Sequence, residues 1–597
     1  MMRTTSDLVI DRLLQWGVDT YFGLPGDGIN GFFEAMRKRK DDIKFVHVRH
    51  EEEAALAAVG YARVSGRPSV VVTTSGPGAT HILNGLYDAI VEGAPLIAIT
   101  GMQFHDMVGT HYLQDVNHQY AFDNACVFNQ QINSAAHALN MVDLAYRTAV
   151  SRRGAAHLTI PIDVQSWPED QVPRSGKNVE AHNSTTMSHT CPVADAEALD
   201  QAIAVLRSMT RPVIVAGQGA RGAHRQLEAV ADLLAAPVVK PALGKDVLGD
   251  ESPFVLGGTG FAGSTASQKA LEECDGMLIV GSSSGFADFW ARPGQARAVQ
   301  IDNDGARIGL RFPPDVALVG DAGATLAALA DRLKRRDERS FLQRCQQMRD
   351  RWWEYENAQA ASADVPMKPQ VVTGHLADLL AADAIVTGDA GTVTVWQGRL
   401  RMTTGQRFTF SGTNCSMAAA VPYAIGAQTA FPDRQVVAFQ GDGGASMLMG
   451  SLATLAQHQL PVTVVVINNA ELGLIVWEQM AYLGNVEHGC KLSRIDFAKV
   501  AEGCGVRGFH VEHPSDVREA LQQALTHSGP ALVDCWVDPA VSPFAETLQP
   551  EQAENIAAAL GHGEPGAATK AARLLEPDVL AISNHLGTVR QQLEQVR

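Results

Sequence analysis

The chain lacks paired cysteines, long apolar runs and any surplus of basic residues. Its eight cysteines, Cys126, Cys191, Cys274, Cys345, Cys415, Cys490, Cys504 and Cys535, are scattered with no C-x-x-C spacing. That argues against a disulfide framework or a zinc ribbon and fits a reducing cytoplasm. No stretch is apolar for long enough to span a bilayer. The opening MMRTTSDLVIDRLLQWGVD (1–19) carries acids early and no long apolar run, so no signal or transit peptide is expected. Lys and Arg number 48 against 65 Asp and Glu, a formal charge of −17. Nucleic acid or an anionic membrane surface is therefore not expected as a general partner, and attraction of a small anionic substrate would have to be local.

What is present is a long, evenly apolar chain: 597 residues, 46% hydrophobic and 19% charged, globular in make-up and too long for one core. SVVVTT (69–74) and APLIAIT (94–100) are continuous apolar strands flanking a helical pattern, as in a parallel sheet covered on both faces. The polar SGKNVEAHNSTTMSH (175–189) reads as a linker. A second α/β unit opens at RPVIVAGQGARG (211–222), continues through GMLIVGSSS (276–284) and RAVQIDNDG (297–305), and closes at the charge-dense DRLKRRDERS (331–340). The expected fold is α/β: three doubly wound parallel-sheet domains at 1–175, 190–340 and 365–545, then a helical tail at 546–597. In the tail, Val579, Ile582, Leu586, Val589, Leu593 and Val596 are spaced three and four apart, which predicts one helix with a narrow apolar stripe. Few basic or aromatic residues flank it, so docking on protein is expected rather than membrane contact.

One repeat ties the first unit to the third. SGPGATHILNGLYDAIVEGAPLIAIT (75–100) lies without a gap over GDGGASMLMGSLATLAQHQLPVTVVV (441–466), matching Ala79 with Ala445, Leu86 with Leu452 and Pro95 with Pro461. Both copies read as strand, glycine loop, helix, proline-led strand. In the second copy the apolar VVAF (436–439) runs into Gly441-Asp442-Gly443-Gly444. Glycine N–H groups between a strand and a helix suit a phosphate, and an aspartate there repels one unless a cation intervenes. Another apolar strand ends in Asn468-Asn469, 27 residues after Asp442. On adjacent parallel strands Asp442 and Asn469 meet at the carboxyl ends, where open sheets bind ligands. Oxygen donors of this kind suit Mg²⁺ with a diphosphate.

The stretch GDGGASMLMGSLATLAQHQLPVTVVVINN (441–469) resembles the thiamine diphosphate motif of the pyruvate oxidase and acetolactate synthase family, and the similarity covers about residues 5–540. The resemblance implies Mg²⁺ held by Asp442, Asn469 and the main-chain carbonyl of Glu471, with the cofactor's phosphates on the backbone of Gly441, Gly443, Gly444 and Ala445. It implies that RHE (49–51) supplies the family's catalytic glutamate, Glu51, which hydrogen-bonds the pyrimidine so that a proton can be exchanged during activation. It makes Met417 in GTNCSMAAAVPYAIGA (412–427) the bulky residue that bends the cofactor, and lines the pyrimidine pocket with Gly391 and Thr392 of GDAGTVTVW (388–396). In this family the glutamate and the diphosphate motif come from different subunits, which implies a homodimer or homotetramer.

Gly217-x-Gly219-x-x-Gly222 alone is a weak dinucleotide signal. Around it, Gly258 and Thr259 in LGGTGFAG (256–263), GSSSGFADF (281–289), Asp302 in QIDND (300–304) and Asp321 in LVGDAGATL (318–326) resemble the FAD-binding domain of the same enzymes, with both aspartates near the ribose or adenine. The family offers two reactions. Both decarboxylate pyruvate or a related 2-oxo acid to an enamine. In one, FAD takes the electrons and hands them to oxygen or a quinone. In the other, the enamine attacks a second 2-oxo acid and FAD is not redox-active. Acetolactate synthases carry an Arg-containing segment where this chain has GFADFW (285–290), and Glu478 follows Leu474 by four residues, the oxidase spacing. The expected activity is oxidase- or dehydrogenase-like, with Gln114 and Glu478 as catalytic residues at the substrate. No His-His pair occurs, which argues against a simple pyruvate decarboxylase. Leu113 and Leu474 stand where the oxidases have Phe, so a wider substrate pocket is expected. Intact Glu51, Asp442 and Asn469 argue against a catalytically silent scaffold.

Overall fold

A computed structural model describes residues 2–188, 191–583 and 585–597. Its framework is three six-stranded sheets in which every paired strand is parallel. Counting strands along the chain, the first sheet, from Thr20–Gly23 to Ala155–Pro161, has the order 2-1-3-4-6-5, and the third, from Ile385–Gly388 to Ala531–Trp536, has the same order. The middle sheet, from Pro212–Ala216 to Val316–Val319, runs 3-2-1-4-5-6, the order of doubly wound dinucleotide folds. The expected fold class of three such domains is the one observed. The linker expected at 175–189 carries no helix or strand as far as residue 188, and its last residue lies outside the described residues.

The sequence repeat has a direct structural counterpart. Val70–Thr73, Pro77–Thr80, Leu83–Glu92 and Leu96–Met102 correspond to Val436–Gly441, Asp442–Met447, Ser451–Gln457 and Val462–Asn468. The one helix expected in each copy is two. In the second copy the break falls where Leu448 leaves helical geometry (φ −124°, ψ 46°), ahead of Gly450.

The first and third modules meet through helices Glu51–Ser65 and Ala420–Ala430, both Ala-rich and buried nearly all round. A Cβ on Gly60 would lie 2.5 Å from Tyr423 Cα, and one on Gly426 2.0 Å from the Ala57 carbonyl oxygen. The close helix crossing therefore depends on both glycines. Arg63, from the same helix, joins all three modules: its Nη1 donates to Glu92 Oε2 (3.0 Å) and to Gln218 Oε1 (2.6 Å), and its Nε to Thr409 Oγ1 (2.8 Å).

The apolar stripe of the tail is used internally. The single helix expected over 579–597 is two, Pro577–Ile582 and Leu586–Val596. Ser583 Oγ interrupts it by accepting from the N–H groups of His585 (3.4 Å) and Leu586 (3.3 Å), a local side-chain bond that competes with the helix ladder. Val579, Leu586, Val589 and Leu593 are buried in one cluster with Trp477 and Met480. Among the described residues no helix is long and apolar enough to cross a membrane.

Candidate active site

In the third sheet the neighbouring strands Ile385–Gly388 and Val436–Gly441 are first and third along the chain, so strand order reverses between them. That is where open α/β sheets bind ligands. Each strand delivers an aspartate: Asp389 from the first and Asp442 from the second, both buried. Asp442 Oδ2 accepts from the Ala470 N–H (2.7 Å) and Oδ1 from the Gly443 N–H (3.0 Å). Burial raises its pKa to about 6. Asn469 Oδ1 accepts from the Glu471 N–H (3.2 Å), and the Glu471 carboxylate is taken up by Lys491 (2.5 Å). Between them Ala470 adopts φ +59°, a left-handed conformation uncommon for a residue with a Cβ. It is held there by Asp442 on its N–H and by the Leu492 N–H on its carbonyl (2.9 Å). The sequence thus brings Asp442, Asn469 and Glu471 together through one strained turn, with oxygen donors that match a hard divalent cation.

The turn beside them is a cradle. A Cβ on Gly444 would meet Asp389 Oδ2 at 1.9 Å, and one on Gly443 would meet Met417 Cε at 3.0 Å. Gly391 has φ +114° with open space beside it, and Thr392 begins the next helix. Asp389 Oδ2 is buried without a hydrogen-bond partner, and burial raises this carboxyl's pKa to about 7. Sequence reasoning passed over Asp389 although Gly388-Asp389-Ala390-Gly391 echoes Gly441-Asp442-Gly443-Gly444; that echo was the available signal. On helix Gly473–Leu483, Leu474 and Glu478 are one turn apart, and burial raises the Glu478 pKa.

The second group of expected residues lies on the first sheet. Glu51 starts helix Glu51–Ser65 and is buried, with His81 Nδ1 2.8 Å from its Oε2. A Cβ on Gly78 would stand 3.2 Å from Glu51 Oε1, and one on Gly76 2.6 Å from Gln114 Cβ. Gln114 (φ +59°) accepts from Ser75 Oγ at 2.6 Å. Glu51 and Gln114 therefore share the rim of one glycine loop, the counterpart of the Gly441–Gly444 loop in the repeat. Leu113, next to Gln114, is 65% exposed. Among the described residues no hydrogen bond or ion pair joins Glu51 or Gln114 to Asp442, Asn469 or Glu478. Exposed apolar side chains flank both groups: Tyr112, Leu113 and Tyr120 on one, Met447, Ile475 and Leu483 on the other.

The middle sheet reverses order between Pro212–Ala216 and Gly276–Val280. There a Cβ on Gly217 would fall 2.4 Å from the Gly281 oxygen, which accepts from the Gly219 N–H (3.0 Å). Asp302 ends the fifth strand and burial raises its pKa. Asp321 follows the sixth and caps helix Ala322–Ala330 through the Ala324 N–H (2.9 Å). Gly258 ends the third strand and Thr259 follows it, and both line a small cavity with Lys240, Lys245 and Trp352. From Asp321 to Thr259 the strand ends span five interstrand spacings, about 24 Å, room for an extended dinucleotide. Beyond Thr259, Phe261 packs against Phe286 (centroids 5.9 Å), Phe289 (5.2 Å) and Tyr482 (6.4 Å). This aromatic cluster joins the middle module to the helix that carries Glu478.

Three family models match in chain order: the thiamine pyrophosphate enzyme N-terminal TPP binding domain at residues 3–122, the central domain at 199–329 and the C-terminal TPP binding domain at 389–535. A Bacillus subtilis protein described as thiamine pyrophosphate-containing, YdaP, is 36% identical over 536 residues, 90% of this chain and 92% of the relative. The pyruvate oxidase of Lactiplantibacillus plantarum is 31% identical over 554 residues, covering 92% of this chain and 91% of its own. The large subunit of acetolactate synthase isozyme 2 from Escherichia coli is 30% identical over 543 residues, covering 89% and 95%. With the likeness running the length of all three modules, the chain belongs to the thiamine pyrophosphate enzyme family that includes pyruvate oxidase and acetolactate synthase.

Proposed function

We propose that this enzyme decarboxylates pyruvate or a related 2-oxo acid with thiamine diphosphate and Mg²⁺, and passes the electrons to FAD. The observation that supports the redox half is Phe261 of the flavin-type module, whose ring packs against Phe286 of the same module and against Tyr482, one turn from Glu478. In this reading the flavin ring lies towards Phe261, next to the helix that walls the substrate pocket. When bound, thiamine diphosphate supplies the carbanion chemistry of decarboxylation and FAD a two-electron acceptor.

In this reading Asp442, Asn469 and the Glu471 carbonyl hold Mg²⁺, and the backbone of Gly441, Gly443, Gly444 and Ala445 holds the diphosphate. The fit rests on the all-oxygen donor set and on a turn that a Cβ at Gly444 would fill. Met417, Gly391 and Thr392 shape the ring pocket. Glu51 holds and releases a proton at the pyrimidine, with His81 fixed 2.8 Å from its carboxylate. Gln114 and Glu478 orient the 2-oxo acid, and burial raises the pKa of Glu478, which favours its holding a proton. Leu113 and Leu474 wall the pocket. FAD lies along Gly217, Gly219, Gly258, Thr259, Asp302 and Asp321. The Glu51 and Asp442 groups make no direct bond within one chain and each is rimmed by exposed apolar residues, which supports completion of the site across a homodimer or homotetramer.

The test is anaerobic mixing of holoenzyme with pyruvate while the flavin spectrum is followed. Bleaching of the flavin is expected, followed by reoxidation with oxygen or a quinone. An unchanged flavin with acetolactate formed would overturn the redox assignment in favour of a carboligase with non-redox FAD.

A further inference from the structure

The candidate diphosphate site has a charge imbalance. A diphosphate carries roughly three negative charges at neutral pH, and Asp442 adds one. A single Mg²⁺ offsets two, which leaves about two. The helix that follows the glycine turn, Asp442–Met447, is only six residues long and cannot bring a full macrodipole to bear. Lys491 lies close, but its ammonium is committed to the buried Glu471 carboxylate at 2.5 Å.

Arg494 is different. The segment that carries it is pinned along the rim of the same crevice. The Leu492 N–H donates to the Ala470 carbonyl (2.9 Å), Asn468 Nδ2 donates to the Ile495 carbonyl (2.9 Å), and the Phe497 N–H donates to Asp534 Oδ2 (3.0 Å). Arg494 is therefore held between two bonds to the Asn468–Ala470 turn. Its guanidinium stacks over the Trp536 ring, 4.3 Å from the centroid, and Trp536 Nε1 is itself fixed on Asp534 Oδ2 (3.2 Å). Trp536 is the register partner of Asn468 on the adjoining strand. Among the described residues Arg494 has no carboxylate partner, and it is exposed.

We propose that Arg494 is a phosphate-binding residue, supplying from the rim the positive charge that the terminal phosphate of the cofactor needs beyond Mg²⁺. The inference rests on the Mg²⁺-diphosphate reading of Asp442 and Asn469. A guanidinium already flattened on an indole gives up little further freedom when it accepts a phosphate, and charge-assisted bonds of this kind are the strong ones.

The experiment measures thiamine diphosphate binding to metal-replete apoenzyme by calorimetry across a range of NaCl. R494M keeps an apolar stem over Trp536 and drops the charge. It is expected to weaken binding about tenfold and to flatten the salt dependence. R494K is expected to fall between the two and to keep the salt dependence. The monophosphate, which lacks the terminal group, is expected to bind R494M and wild type alike. If R494M binds thiamine diphosphate with wild-type affinity and salt dependence, the assignment is wrong. The D442A variant, measured alongside, separates the two claims. Loss of Mg²⁺-dependent binding in D442A with R494M unaffected sinks the Arg494 role alone, whereas Mg²⁺-dependent binding that survives in D442A sinks the metal reading on which it rests.

Discussion

His81 Nδ1 lies 2.8 Å from Glu51 Oε2, and the two rings of His50 and His81 stack with centroids 4.6 Å apart. A glutamate that starts a helix is normally free to turn towards solvent, where the helix dipole already favours it. Here the imidazole and the glycine loop at Gly78 fix its position instead.

Glu51→Gln is expected to keep thiamine diphosphate affinity and to lose about 10²–10⁴-fold in turnover, the range for removal of a general acid–base group. Gln preserves shape and can still bond His81, but cannot exchange the proton. Calorimetry of cofactor binding beside steady-state rates checks both halves. Turnover within a few-fold of wild type would mean that another group activates the cofactor.

Asp88 offers a pH test of the joint between the first and third modules. It is fully buried, accepts from Ser411 Oγ at 2.7 Å and takes the Tyr423 hydroxyl on its other oxygen. Burial, then the charge of Glu92, raises its pKa from 3.8 to about 7. Between those values the folded state holds a proton that the unfolded state releases. The stability this group contributes is therefore complete below pH 3.8 and is lost as pH rises to about 7. Asp88→Asn keeps one acceptor oxygen, turns the other position into a donor to the second hydroxyl, and removes the titration. Its thermal midpoint should fall less steeply than wild type as pH rises through this window. Parallel curves for the two proteins would show that Asp88 is not the titrating group.

The gapless overlay of 75–100 on 441–466 could be read from the sequence because glycine turns and a strand-leading proline are local signals. The identical strand order of the two sheets is its consequence. Asp442 and Asn469 were equally legible, since each simply follows an apolar strand. Arg494 was not: nothing in LSRIDF marks it, and its place depends on bonds to Ala470 and Asn468, more than 20 residues away. His81 was hidden for the same reason, its partner lying 30 residues upstream. The break in the tail escaped because the stripe keeps its spacing across Ser583, so periodicity alone continues one helix where a hydroxyl stops it.

The tail supports the helix that carries Leu474 and Glu478 directly. Helix Pro550–Gly561 packs on Gly473–Leu483, with Asn555 Nδ2 donating to the Ala481 carbonyl (3.0 Å). Glu564 Oε2 accepts from the Glu487 N–H (2.8 Å), while its other oxygen pairs with the buried Lys570 (2.5 Å). Leu593→Ala removes a fully buried side chain from this cluster and should cost about 2–5 kcal/mol locally. The expected readout is faster hydrogen exchange in Gly473–Leu483 and a raised KM for the 2-oxo acid, with thiamine diphosphate affinity unchanged. Exchange confined to the tail itself would show that the tail does not hold the helix Gly473–Leu483.

Leu113 and Leu474 decide how wide the proposed pocket is. Leu474 is half-buried one turn before Glu478, and Leu113 is 65% exposed beside Gln114. One lies on the first module and the other on the third, and in the two-subunit reading proposed above they wall one pocket from opposite sides. A branched aliphatic chain leaves more room than a flat ring at either place. The pocket should then admit 2-oxo acids longer than pyruvate, such as 2-oxobutanoate. An added or missing methylene contact changes discrimination by only about 1–3 kcal/mol, so a broadened preference is expected rather than exclusion of pyruvate. Leu113→Phe and Leu474→Phe together should shift the ratio of kcat/KM towards pyruvate, and each alone should shift it part of the way, because each narrows the pocket from its own subunit. Competition between pyruvate and 2-oxobutanoate under identical conditions reads that ratio directly. If the double variant leaves it where wild type has it, neither side chain borders the substrate, and the pocket must be walled by other residues.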